Sequence, residues 1–139
     1  MACGMKERMK SRAEKLGRIV SLVKLQLRLS EWQLAQLRQQ EYELEDQESY
    51  LIGALNDNRL PIGSSSESIS RRLTATSVSA RATQARASKQ LEQVQVEGHR
   101  LKQLERIAKA ATVSMVQHAE RRSLEEIAGA FPASPINGL

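Results

Sequence analysis

Apolar residues recur at alternating intervals of four and three along two long stretches of this 139-residue chain. In the first stretch the pattern runs from Met9 to Leu55, and eleven of its fourteen positions are apolar. In the second, seven apolar residues follow one another at intervals of seven, from Leu73 to Met115. A weaker row of eight positions, from Ile69 to His118, alternates with them. Repeats of this kind are typical of helices that pair along one seam. The pattern therefore predicts an all-α protein.

One break separates the two stretches. Residues 56–66 are rich in Asn, Pro, Gly and Ser, which favour turns, and Pro61 cannot continue a helix without a large cost. We expect a single helical hairpin over residues 1–139, with helix 1 at about 5–57, a hinge at 58–64 and helix 2 at about 65–129. Residues 130–139 hold two prolines and a glycine and are expected to form a flexible tail. Ser64 and Glu67 have the spacing of a capping box at the start of helix 2.

A short hinge folds the two helices back on each other, so the fold class predicted is a long antiparallel two-helix coiled-coil hairpin. The register that sets Ile69 opposite Leu55 also sets Ala80 opposite Leu44, Ala108 opposite Leu16 and Met115 opposite Met9. The alternative is partial disorder in residues 64–88, where eight Ser and three Thr occur among twenty-five residues, a poor composition for a helix.

Charge is unevenly distributed. Residues 1–28 carry a net charge of +6, residues 29–60 carry −5, and residues 61–139 carry +4. In the hairpin the basic N-terminal segment lies beside basic residues of helix 2, which predicts a cationic end that bears both termini. Such an end suits an acidic protein, nucleic acid or an anionic membrane, although a solvated surface without a partner is also compatible with it.

Two further apolar sets lie off the seam. Leu25, Leu29 and Trp32, with Leu22 before them, occupy outward-facing positions of helix 1, where we expect a protein contact unless the register shifts locally. Near the C-terminus Leu124, Ile127 and Phe131 form another set. These residues either contact a partner or cover the start of helix 1.

The sequence contains few candidates for catalytic or ligand-binding residues. It lacks a phosphate loop, a dinucleotide-binding glycine motif, HExxH and paired cysteines, so we predict no catalytic, cofactor-binding or metal-binding residues and no small-molecule substrate. His99 and His118 are interpreted as ordinary helix residues. No apolar run approaches the length of a membrane span or a secretion signal, from which we expect a cytoplasmic protein.

Three segments resemble FliJ, the soluble stalk protein of the bacterial flagellar type III export apparatus, and its virulence-system relatives. They are QQEYELEDQESYL at 39–51, KQLERI at 102–107 and, above all, ERRSLEEIA at 120–128, which is similar to the family's closing segment. Length and the hairpin of unequal helices agree with the same family, and the likeness covers roughly residues 8–128.

The resemblance implies a non-enzymatic coiled-coil stalk that promotes assembly or coupling of the hexameric export ATPase. It also implies contact with the cytosolic domain of the membrane export gate and with other export chaperones, at the cytoplasmic side of the inner membrane. The partner-binding residues carried over from the closing motif are Arg121, Arg122, Leu124, Glu125, Glu126 and Ile127.

Two alternatives from other classes remain open on the sequence. A basic coiled-coil nucleic-acid-binding protein fits the charge, although almost no aromatic residues lie among the basic ones. A scaffold that dimerises through Leu25, Leu29 and Trp32 fits the second apolar set.

Overall fold

Two helices account for nearly all of the chain in a computed structural model, which describes residues 2–130, with side chains from residue 4 onward. Helix α1 is Ala2–Asn56 and helix α2 is Ser66–Ala130. The fold is an all-α helical hairpin in which the two helices pack against each other, and the described range contains no strand. This confirms the predicted fold class. The expected tail at 130–139 lies outside the described residues except for Ala130.

The connection between the helices is short and contains two residues with positive φ. Asn58 has a φ of 54° and Gly63 a φ of 83°. A left-handed backbone is easily adopted by glycine and is tolerated by asparagine. The Ser64 amide donates to the Pro61 carbonyl at 3.0 Å, which closes the turn directly before α2.

The first turn of α2 differs from the predicted capping box. The Oγ of Ser65, rather than that of Ser64, accepts a hydrogen bond from the Ser68 amide at 3.1 Å. The cap therefore lies one residue later than predicted, and Glu67 falls within the first turn instead of at the reciprocal position of the box. Glu67 pairs with Arg71 one turn later, at 3.7 Å.

Burial follows the predicted seam residue by residue. On α1 all fourteen predicted positions from Met9 to Leu55 are buried or half-buried. On α2 the same holds for the fifteen predicted positions from Ile69 to His118. The positions between them are exposed with few exceptions, which is the pattern of one helix stripe facing one partner helix.

The chain divides into two compact units, each made of one segment from each helix. Unit 1 comprises residues 1–24 and 99–139, and unit 2 comprises residues 25–98. Within unit 1 the Nζ of Lys24 lies 3.9 Å from the Oε1 of Glu105. Within unit 2 Ser77 contacts Glu48. In both units, residues closer to the N-terminus of α1 contact residues closer to the C-terminus of α2, so the two helices are antiparallel.

The Ser- and Thr-rich start of α2 is helical without interruption, contrary to the alternative of partial disorder in residues 64–88. Two of its hydroxyl groups donate hydrogen bonds: Thr74 Oγ1 to the Ser70 carbonyl at 3.0 Å, and Ser77 Oγ to Glu48 Oε1 at 2.8 Å. Small side chains at Ala80 and Ala87 are buried against α1. Tertiary packing outweighs the weak helix propensity of this stretch.

Candidate interaction surfaces

The closing segment of α2 presents its apolar side chains to solvent. Leu124 is 65% exposed and Ile127 is 54% exposed. Both residues lie off the repeat that forms the seam of α2. Phe131, predicted to continue this apolar set, lies outside the described residues.

The charged residues of the same segment include one with a local partner. Arg121 is exposed, whereas Arg122 occupies a seam position and is half-buried. The Nε of Arg122 lies 3.8 Å from the Oε1 of Glu126, one turn further along the helix. Glu125 and Glu126 are exposed. A pair of this kind within one helix contributes little to stability.

A groove of about 700 Å³ lies next to this segment in unit 1. Met9 of α1 and Met115 of α2 both line it, as the predicted register requires. The Nε2 atom of His118 is buried and has no hydrogen-bond partner within the described part of the chain. The remaining lining residues are Lys6, Lys10, Val116, Ala119, Glu120, Ser123 and Leu124.

Unit 1 is strongly cationic. Residues 1–24 and 99–139 hold thirteen Lys and Arg against six Asp and Glu, a net charge of +7. Residues 25–98 hold eight against ten, a net charge of −2. The positive charge of the protein is thus concentrated in the unit that carries the closing segment, and an anionic partner would be attracted to it.

A second apolar surface lies on unit 2. Leu25 is 59% exposed, Leu29 is 55% exposed and Trp32 is 59% exposed. Trp32 also lines a groove of about 590 Å³ whose opposite wall includes Arg86 and Lys89 of α2. The sequence predicted the exposure of these side chains but not the groove.

Polar side chains interrupt the apolar seam of unit 2. The Nε2 of Gln90 donates to the Ser30 carbonyl at 3.0 Å and to the Oε1 of Gln33 at 3.3 Å. The carboxylate of Glu97 is buried, and its Oε1 accepts a hydrogen bond from Gln93 Nε2 at 3.1 Å. The sequence located these positions as the weaker row of α2, but the cross-helix bond of Gln90 to a backbone carbonyl has no sequence signature.

The residues predicted to bind partners therefore form two groups. Arg121, Arg122, Leu124, Glu125, Glu126 and Ile127 belong to unit 1, whereas Leu25, Leu29 and Trp32 belong to unit 2. Spacing along the seam predicts that Met9 and Met115 share one layer. It does not show that this layer lines an open groove.

Comparison with known proteins gives no match for this chain among family models, curated proteins or solved structures. Across the described residues, no His, Cys, Asp and Glu side chains cluster in a way that could hold a metal ion. No helical segment in that range combines the length and apolarity needed to cross a membrane.

Proposed function

We propose that this protein is a non-enzymatic coiled-coil stalk of a flagellar or related type III export apparatus, in which unit 1 binds the export ATPase. The observation that carries the proposal is the segment 120–128, which resembles the closing motif of FliJ. Its apolar residues are exposed, and it belongs to the cationic unit.

An exposed Leu and Ile flanked by charges on a rigid helix have the composition of a protein-binding surface rather than a solvated one. The cationic unit would additionally accelerate encounter with an acidic ring lumen. The cytosolic domain of the export gate and export chaperones are further proposed partners, and the site of action is the cytoplasmic face of the inner membrane.

The test is ATP hydrolysis by the cognate export ATPase with and without this protein. We expect the wild-type protein to raise the rate, and Arg121→Glu combined with Arg122→Glu to reduce that increase. Arg121→Glu alone is the cleaner variant, because Arg122 also contacts Glu126. Arg72→Glu, an exposed arginine of α2 in unit 2, is the matched control and should stimulate like the wild type. An unchanged rate with the wild-type protein would contradict the proposal.

A dimeric scaffold is a second candidate, favoured by the exposure of Leu25, Leu29 and Trp32 on one helix. It predicts a dimer that Trp32→Ala converts to a monomer, which light scattering measures. A monomeric wild-type protein across the accessible concentration range would exclude this function.

A further inference from the structure

We propose that the groove of unit 1 binds an amphipathic helix of a partner protein, with apolar side chains in the groove and acidic residues against its lysines. The groove includes Leu124 of the segment that carries the export proposal. The inference stands without that proposal, because any partner that offers this pattern would qualify.

The apolar part of the groove is suited to helix side chains. Met9 and Met115 come from opposite helices and line the same space, where flexible thioether chains can adapt to different apolar shapes. Leu124 and Val116 also line it and are 65% and 47% exposed. An open apolar groove between two helices is the usual receptor for the apolar stripe of a third.

The size of the groove fits this mode of binding. A volume of about 700 Å³ accommodates several side chains of one helical stripe. Its polar lining residues are Lys6, Lys10, His118, Glu120 and Ser123, and the Nε2 of His118 has no partner among the described residues.

The positive charge around the groove favours a negatively charged partner. Lys6 and Lys10 are one turn apart on the same face of α1 and both line the groove, with Glu120 as the acidic residue on the α2 side. Unit 1 as a whole carries +7. A second copy of unit 1 would be repelled, and a basic helix likewise, whereas an acidic helix is attracted.

The probe is a fluorescent 18-residue peptide with Leu on one helical face and Glu on the other. Two comparison peptides separate the contribution of the apolar face from that of the negative charge. One has the same composition in shuffled order, and the other has Lys in place of Glu. Fluorescence anisotropy with the full chain should give binding to the Glu peptide about tenfold tighter than to either comparison peptide. Equal binding of the shuffled peptide would overturn the proposal.

Two variants test whether the peptide binds in the groove: Leu124→Asp, and the double variant Lys6→Glu with Lys10→Glu. Each should weaken binding of the Glu peptide about tenfold, and the lysine pair should favour the Lys peptide instead. The matched control is Val78→Asp, since Val78 is 62% exposed on α2 in unit 2. It should bind like the wild type, with helicity checked by circular dichroism for every variant.

Three results would contradict the proposal. The first is unchanged peptide binding by Leu124→Asp, and the second is an equal loss with Val78→Asp. The third is binding to vesicles of phosphatidylglycerol, lost in Leu124→Asp, with no binding to the peptide, which would make the groove a lipid-binding surface. Because no ATPase is present, failure here is separate from failure of the export proposal.

Discussion

The carboxylate of Glu97 lies in the seam of unit 2 with only part of its hydrogen-bonding capacity used. It is 6% exposed, and while Oε1 accepts from Gln93, Oε2 has no partner within the described residues. A buried carboxylate oxygen without a hydrogen-bond partner is unfavourable, because its lost hydration is not replaced.

Replacing this side chain by an apolar one should stabilise the protein. We expect Glu97→Leu to raise the free energy of unfolding by about 1–3 kcal/mol, measured by urea denaturation. Glu92→Leu, at an exposed position on the same helix, should change it by less than about 0.5 kcal/mol. Destabilisation by Glu97→Leu would contradict this prediction and would show that the carboxylate is needed for the packing of α1 against α2.

Ile69 is the most completely buried large side chain of the described structure, at 1% exposure. It fills the space between the helices directly after the turn. Ile69→Ala should lower the free energy of unfolding by about 3 kcal/mol, since it removes three carbons and leaves a cavity. Val78→Ala, at an exposed position of α2, is the control and should have little effect. A loss of similar size in both variants would contradict this role of Ile69.

At the scale of single elements, the start of α2 allows a direct comparison of two neighbouring serines. The structure assigns the cap to Ser65 through its bond to the Ser68 amide, whereas spacing had favoured Ser64. Ser65→Ala should therefore cost about 1 kcal/mol in chemical denaturation. Ser64→Ala should cost clearly less, because the Ser64 amide keeps its bond to the Pro61 carbonyl. A larger loss of stability for Ser64→Ala than for Ser65→Ala would support the predicted capping box of Ser64 and Glu67 instead.

The long elements could be predicted from the sequence because one repeating interaction determines them. Fourteen positions on α1 share one periodicity, so the polar residues Ser30 and Glu41 at two of them do not change the helix assignment. The cap of α2 could not be located, since Ser64, Ser65 and Ser66 are equivalent in sequence and the turn geometry selects among them.

The candidate site was predictable in part for the same reason. Exposure of Leu124 and Trp32 follows from their positions off the seam. The groove of unit 1 was not predictable, because the spacing of the seam residues does not specify how side chains such as Lys6 and Leu124 are arranged around it. Contacts of long polar chains, such as Gln90 with the Ser30 carbonyl, depend on rotamers that periodicity does not specify.

At the scale of the whole molecule, one antiparallel register underlies both the buried seam and the surfaces left exposed. That register brings Met9 level with Met115 in unit 1 and Glu48 beside Ser77 in unit 2. A shift by one heptad would move α2 by about 10 Å along α1 and separate both pairs. The groove and the exposed closing segment would then change together.

Cysteine cross-linking in solution measures this register directly. In a Cys3→Ala background, Glu48→Cys with Ser77→Cys should be joined within one chain by a short bifunctional thiol reagent, because these side chains are in contact at 2.8 Å. Glu48→Cys with Gln84→Cys, displaced by one heptad on the same helix, should remain unjoined. Efficient cross-linking of the displaced pair, or none of the Glu48 and Ser77 pair in a helical protein, would contradict the account.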